Sequence, residues 1–148
     1  MLPIGDAFEH DYRGCEILYG RGRASELRSV LDERGLGDAL VVCGSNVGAN
    51  DDLMDPIREG LGDRLAGVFD GTTPDKRVET AYDLLDKPVE VGADALVAVG
   101  GGSSLDTARQ AAVLDVDGRD IADLRADAAA GPEALGSLAP GSDPTLPV

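Results

Sequence analysis

The sequence predicts an α/β fold, a doubly wound sheet of parallel strands with helices on both faces. Three apolar runs of strand length carry this expectation: Ala39-Leu40-Val41-Val42-Cys43, Leu65-Ala66-Gly67-Val68-Phe69 and Ala95-Leu96-Val97-Ala98-Val99. None alternates with polar residues, and continuous apolar runs of about five residues are strands buried on both faces. Helical patterns fill the intervals, giving the order strand, helix, strand, helix, strand, helix. That order requires a sheet with right-handed crossovers.

The elements follow in chain order. Glu16-Ile17-Leu18-Tyr19 does alternate, and reads as an edge strand or half a hairpin. Ala24, Leu27, Val30 and Leu31 share one face of a helix that ends at Gly35. Leu53, Ile57 and Leu61 mark a second helix, with Pro56 expected in an early turn. Val78, Tyr82, Leu85 and Val89 mark a third, whose last turn Pro88 is expected to kink. Leu105, Ala108, Ala112 and Val113 mark a fourth, opening just after Gly100-Gly101-Gly102. Beyond Leu114 the character changes: residues 115 to 148 hold four prolines with scattered Gly, Ala and acids. Ile121 to Arg125 and Pro132 to Leu138 read as short helices. Thr145-Leu146-Pro147-Val148 reads as the start of an unfinished strand, which would leave backbone groups unpaired, so the chain is expected to be a fragment.

Composition narrows the function classes. The chain has 148 residues, 43% apolar, enough for one domain with one core. Its 13 basic and 28 acidic residues give a formal charge of −15, the opposite of what a nucleic-acid or anionic-membrane binder needs. Aromatics are 3% with no Trp, so there is no platform for stacking bases. No apolar run approaches the roughly 20 residues of a membrane span. The N-terminus lacks a basic stretch followed by an apolar one, so no secretory signal is expected. Of the acids 20 are Asp, and of the bases 11 are Arg and 2, Lys76 and Lys87, are Lys. This balance resembles that of cytoplasmic proteins of salt-loving archaea, whose self-repulsion molar salt screens. Cys15 and Cys43 match no metal spacing and read as small core residues in a reducing cytoplasm.

The chemistry lies in Val99-Gly100-Gly101-Gly102-Ser103-Ser104-Leu105-Asp106-Thr107-Ala108-Arg109. A buried strand running through three glycines into a helix is suited to gripping a phosphate. Glycine leaves no Cβ in the way, and free N–H groups and the helix dipole attract anions. Ser103 is expected to cap the helix, with Asp106 completing a capping box. Gly20-Arg21-Gly22 follows a short alternating strand and reads as a turn. Asp51-Asp52 and Asp115-Val116-Asp117 read as solvated surface rather than metal sites. With His10 as the one histidine, there is no nucleophilic triad to consider.

The run Gly100 to Arg109 resembles the GGGSxxDxAK motif of the iron-containing (group III) alcohol dehydrogenases, with Arg109 in place of the final Lys. Phe69-Asp70-Gly71-Thr72-Thr73-Pro74-Asp75 is similar to that family's strand end and PNP turn. Gly92-Ala93-Asp94 matches its lead-in to the glycine strand, and Tyr19-Gly20-Arg21-Gly22 its opening hairpin and turn. The likeness covers about residues 12 to 114.

The resemblance implies a Rossmann-like NAD(P)-binding domain over residues 1–148, with its core at about 12–114. It implies that Gly100, Gly101, Gly102 and Ser103 hold the cofactor's pyrophosphate. The residue ending the first parallel strand contacts the adenosine ribose in this family. Here that place falls to Gly44, followed by Ser45 and Asn46, an uncharged corner suited to NADP over NAD. Asp75 is placed near the adenine.

The family's iron, or other divalent metal, is held by one Asp and three His of a C-terminal helical domain that one histidine cannot supply. No metal or catalytic residue is therefore expected in this chain, and by itself it is expected to be inactive. The implied reaction of the full enzyme is reversible hydride transfer between a small alcohol or aldehyde and nicotinamide, in the cytoplasm, with homo-oligomerisation left open. Two alternatives remain. One is a glycerol, glycerol-1-phosphate or dehydroquinate-synthase-like relative sharing the loop. The other is a standalone nucleotide-binding module without catalysis.

Overall fold

The computed structural model describes residues 8–12 and 15–117. Strand β1 (Phe8–Tyr12) pairs antiparallel with β2 (Cys15–Tyr19), Phe8 opposite Tyr19, so the alternating segment is half of a hairpin. A 3₁₀ turn over Arg23–Glu26 leads into α1 (Leu27–Glu33), which Gly35 closes at φ 68°. Strand β3 (Ala39–Gly44) follows, then the short α2 (Ser45–Gly48) and α3 (Asp51–Leu61). Strand β4 (Leu65–Thr72), α4 (Val78–Leu85), α5 (Lys87–Val91), β5 (Ala95–Ala98) and α6 (Gly102–Asp117) complete the order.

The three apolar runs form one parallel sheet in the order β4-β3-β5. The chain steps from β3 out to β4, then passes back across β3 to reach β5 on its far side. This reversal makes a topological switch point between β3 and β5, where open α/β sheets bind ligands beyond the strand C-termini. The predicted sheet is therefore observed, with β4 extended through Asp70-Gly71-Thr72 and β5 stopping at Ala98.

Helices cover both faces, which explains why the strands do not alternate in polarity. On one face Ala39, Val41 and Cys43 pack with Leu31 of α1 and with Met54 and Leu61 of α3. On the other, Leu40 and Val42 pack with Leu84 of α4 and with Ala108 and Ala111 of α6. Each layer buries its apolar stripe only because the sheet lies between them.

Five helix expectations are corrected. Pro56 lies inside α3, not in its early turn, because the helix opens at Asp51. The Asn50 carbonyl accepts from the N–H groups of Leu53 at 3.1 Å and Met54 at 3.0 Å, so the chain is already helical well before the proline. Leu61 is buried and Ile57 packs against the core as expected, but Leu53 is 50% exposed and its place in the core is taken by the fully buried Met54. Pro88 does not kink one helix. The helix breaks at Asp86, and Pro88 is buried in the first turn of α5, where a missing N–H costs nothing. Val89, expected on the apolar face, is 85% exposed.

The fifth correction concerns α6. Ala108 and Ala112 are buried as expected, together with Ser104, Thr107, Ala111 and Leu114, while Leu105 and Val113 are both exposed. Small residues let the helix lie close to the sheet and to α4, and the hydrophobicity pattern was misled by the larger outward side chains. Thr107 Oγ1 and Gln110 Oε1 are buried without a hydrogen-bond partner among the described residues. The helix runs past Leu114 to Asp117. The expected helices at 121–125 and 132–138 and the strand start at 145–148 lie outside the described residues.

Candidate dinucleotide site at the switch point

Three connections meet at the C-terminal end of the sheet. Strand β3 turns directly into α2 at Gly44, β4 gives way to the segment 73–77, and β5 enters the glycine loop. The Val99 N–H still donates to the Val42 carbonyl at 2.8 Å, so the loop starts in register with β3.

Gly100 has φ 127°, a conformation that L side chains rarely adopt. A Cβ there would stand 3.3 Å from Ser104 Oγ and 3.7 Å from Val47 Cγ2, which places the glycine loop against α2. A Cβ on Gly101 would meet nothing within 4 Å among the described residues. The backbone at that glycine is thus open to a ligand. By helix geometry, the N–H groups ahead of Ser104 have no carbonyl within the helix to pair with. The loop fits an anionic group in both respects, by shape and by the polarity of its free amides.

The expected capping box does not form. Helix α6 begins at Gly102, and the Gly101 carbonyl accepts from the Ser104 N–H at 3.2 Å and the Leu105 N–H at 3.4 Å. Ser103 sits within the first turn, half-buried, rather than at the cap. Asp106 instead pairs with Lys76 Nζ at 2.5 Å. A full cation outcompetes a backbone amide for a carboxylate, and Lys76 reaches it from the segment after β4.

Sequence reasoning missed two contacts that fix the loop. Thr72 Oγ1 and Ser104 Oγ lie 3.2 Å apart, both residues buried, and tie the end of β4 to the first turn of α6. Thr72→Val keeps the shape but leaves the Ser104 hydroxyl unpaired, with an expected loss of about 1–2 kcal/mol. The midpoint of urea unfolding checks this, and an unchanged midpoint would show that the pair contributes nothing. The other missed residue is Lys76, whose φ of 49° is the one positive value at a non-glycine among the described residues. Its signal in the sequence was scarcity: one of two lysines in an arginine-rich chain.

Gly44 is extended, with φ −85° and ψ 159°, so any residue could adopt its backbone. Space makes glycine the fitting residue: a Cβ would lie 3.3 Å from the Thr72 carbonyl oxygen and 3.5 Å from Thr72 Oγ1. Gly44 opposes both Gly71 and Thr72 in an irregular register with β4. Ser45 and Asn46 are exposed beside it in α2. The structure therefore brings Gly44 to Asn46 and Gly100 to Ser103 to one end of the sheet, joined through Val47.

Asp75 lies in the segment after β4 and is engaged locally. It accepts from the Thr73 hydroxyl and, at 2.5 Å, from Arg77 Nε. These bonds, Thr73 first, hold its carboxyl below the usual aspartate range. The Asp106 carboxyl is also lowered, chiefly by the Lys76 hydrogen bond and charge. A depressed carboxyl binds its proton less tightly folded than unfolded. Both pairings therefore stabilise the fold above the ordinary Asp pKa of about 3.9 and lose that effect as pH falls below it.

The remaining candidates are structural. Gly20 to Gly22 form a turn in which the Gly22 carbonyl accepts from the Ser25 N–H at 3.0 Å. Asp51 and Asp52 are exposed in the first turn of α3, and Arg58 Nη1 donates to Asp51 Oδ1 at 3.1 Å. Cys43 is a free, fully buried thiol, pushed up first by burial and then by the Asp70 charge.

Comparison with known proteins identifies the fold's relatives. The family model described as iron-containing alcohol dehydrogenase matches residues 15–139. An NAD-dependent methanol dehydrogenase of Bacillus methanolicus is 31% identical over 111 residues, covering 73% of this chain and 29% of its own length. Lactaldehyde reductase of Escherichia coli K12 is 29% identical over 137 residues, covering 88% of this chain and 32% of its own length. The crystal structure of maleylacetate reductase from Rhizobium sp. strain MTP-10005 matches with a TM-score of 0.55 and 26% identity, covering 67% of this chain and 27% of that one. The chain thus spans about a third or less of the relatives it matches. With the family model covering most of its residues and the glycine loop at the switch point of a parallel sheet, the chain belongs to the iron-containing alcohol dehydrogenase family.

Proposed function

We propose that this chain is the nucleotide-binding part of an NAD(P)-dependent, metal-dependent alcohol dehydrogenase. The observation that carries the reading is the approach of Val47, next in the chain to Gly44–Asn46, to Gly100 at the β3/β5 switch point. The loop amides and the start of α6 take the pyrophosphate. The corner at Gly44, Ser45 and Asn46 takes the adenosine ribose, and its lack of a carboxylate leaves room for the 2′-phosphate of NADP. Asp75, in the segment after β4, is assigned to the adenine.

Bound there, the dinucleotide supplies a nicotinamide that exchanges hydride with the carbon of a small alcohol or aldehyde. Among the described residues, no group of three or more His, Cys, Asp or Glu could hold a metal ion, and no metal step is assigned to them. What this chain contributes is position: the loop fixes the phosphates and the sheet edge fixes the ribose. The acidic, arginine-rich composition fits work in the concentrated salt of a halophile's cytoplasm.

Titration calorimetry with NADP and NAD tests the reading. Gly101→Val places a side chain in the open space above the loop. Affinity for both cofactors is expected to fall about tenfold or more, a loss of roughly 1.4 kcal/mol or above. Binding indifferent to this substitution would remove the glycine loop from the site.

A further inference from the structure

The site has a charge problem. A pyrophosphate resting at the start of α6 meets Asp106 one turn into that helix, in a chain already carrying a formal −15. The structure answers with Lys76. Its Nζ stands 2.5 Å from Asp106 Oδ2 and 3.9 Å from where a Cβ on Gly102 would be. The ammonium group is thus beside the glycine loop itself, and its side chain remains 45% exposed.

Resting on the cofactor reading above, we propose that Lys76, held in place by Asp106, is the cationic ligand of the dinucleotide's pyrophosphate. Three features favour this over an ordinary surface ion pair. The first is the backbone at Lys76, where φ is 49°. A non-glycine residue in the left-handed region is strained, and such strain concentrates at ligand sites. The Lys76 N–H donates to the Thr73 carbonyl at 3.1 Å, so a turn holds that conformation.

The second is stoichiometry of charge. An ammonium carries three donors, and one carboxylate oxygen at 2.5 Å accounts for one of them. Among the described residues the other two meet no acceptor and can reach a phosphate oxygen across Gly102, which itself carries no side chain. The third is position relative to the ribose corner. Lys76 approaches α6, the β5 side of the switch point, whereas Gly44 lies in β3 between β4 and β5. The pyrophosphate, not the 2′-phosphate, is therefore its target.

Asp106 is a positioning residue in this account. Its carboxylate anchors Lys76 over the loop and is neutralised in return, which removes the repulsion that a bare acid in the first turns of α6 would exert on the ligand.

Titration calorimetry of the chain with NADPH, NADH and ADP-ribose separates the outcomes. ADP-ribose carries the pyrophosphate without nicotinamide or 2′-phosphate. Lys76→Met is expected to weaken all three about tenfold, and Lys76→Arg to retain most of the affinity because the charge stays. Lys76 is exposed, and the circular dichroism of both variants is expected to match the parent's. Equal affinities for the parent and Lys76→Met would overturn the role of Lys76 while leaving the glycine loop as the site. A loss confined to NADPH would also overturn it, by assigning the lysine to the 2′-phosphate. No binding of any of the three to the parent chain would overturn both this role and the cofactor reading.

Discussion

Gly60→Ala is expected to destabilise the fold by about 3 kcal/mol or more. Local preference argues the other way, since alanine is favoured over glycine inside a helix by roughly 1 kcal/mol. Packing decides the sign. Gly60 is buried near the end of α3, where the helix meets the 3₁₀ turn at Arg23–Glu26. A Cβ at Gly60 would lie 1.9 Å from the Ala24 carbonyl oxygen and 2.8 Å from the Ala24 carbonyl carbon. Both atoms are backbone, so no rotamer change relieves the overlap. The two elements must separate by more than an ångström, which opens the layer holding Leu31, Met54 and Leu61. Overpacking of this kind costs about 1–3 kcal/mol where side chains can yield, and more where they cannot. Urea unfolding of the two proteins gives the answer, and a Gly60→Ala protein as stable as its parent would mean that the contact between α3 and the 3₁₀ turn is not made.

What was legible in the sequence was whatever burial on two faces imposes. The run Ala39 to Cys43 is apolar throughout because helices pack on both sides of β3, and that requirement leaves a direct mark on composition. The glycine loop was legible for a similar reason, since a buried strand entering three glycines and a helix has few structural uses.

The errors arose where one residue can serve several geometries. Pro88 is compatible with a kinked helix and with the first turn of a new one, and only the break at Asp86 chooses between them. Helix α6 hid its buried face because close packing selects Ala, Ser and Thr, which carry little hydrophobic signal, while Leu105 and Val113 face outward. Asp106 sits at the spacing of a capping box, but its partner, Lys76, is 30 residues away in sequence and is set beside it by the sheet. Spacing rules describe neighbours along the chain, and this contact is made across it.

On the proposed reading, the cofactor preference turns on Gly44. If the ribose corner lies there, NADP binds at least as tightly as NAD, and Gly44→Asp reverses the order. A carboxylate at that point repels the 2′-phosphate and accepts hydrogen bonds from the free ribose hydroxyls. The expected swing is about 1–3 kcal/mol, the scale of one polar group gained or left unpaired in a site. The structure adds a second effect, because any side chain at position 44 crowds the Thr72 carbonyl at 3.3 Å. Gly44→Ala carries that crowding without the charge, so the difference between the Asp and Ala variants isolates the electrostatic part. Salt provides an independent handle on the same site. Protein and cofactor are both anionic, and their long-range repulsion opposes encounter at low salt. Raising salt from about 0.1 M to about 1 M shortens the screening length from roughly 10 Å to roughly 3 Å. That removes repulsion from the whole surface while leaving the short contacts at the loop largely intact, so affinity is expected to hold or rise. Calorimetry of the parent, Gly44→Ala and Gly44→Asp with both cofactors at the two salt levels measures each contribution. Tighter binding of NAD than NADP by the parent would refute the assignment at Gly44, and affinity falling steeply with salt would mean that local cations, Lys76 foremost, outweigh the charge of the chain.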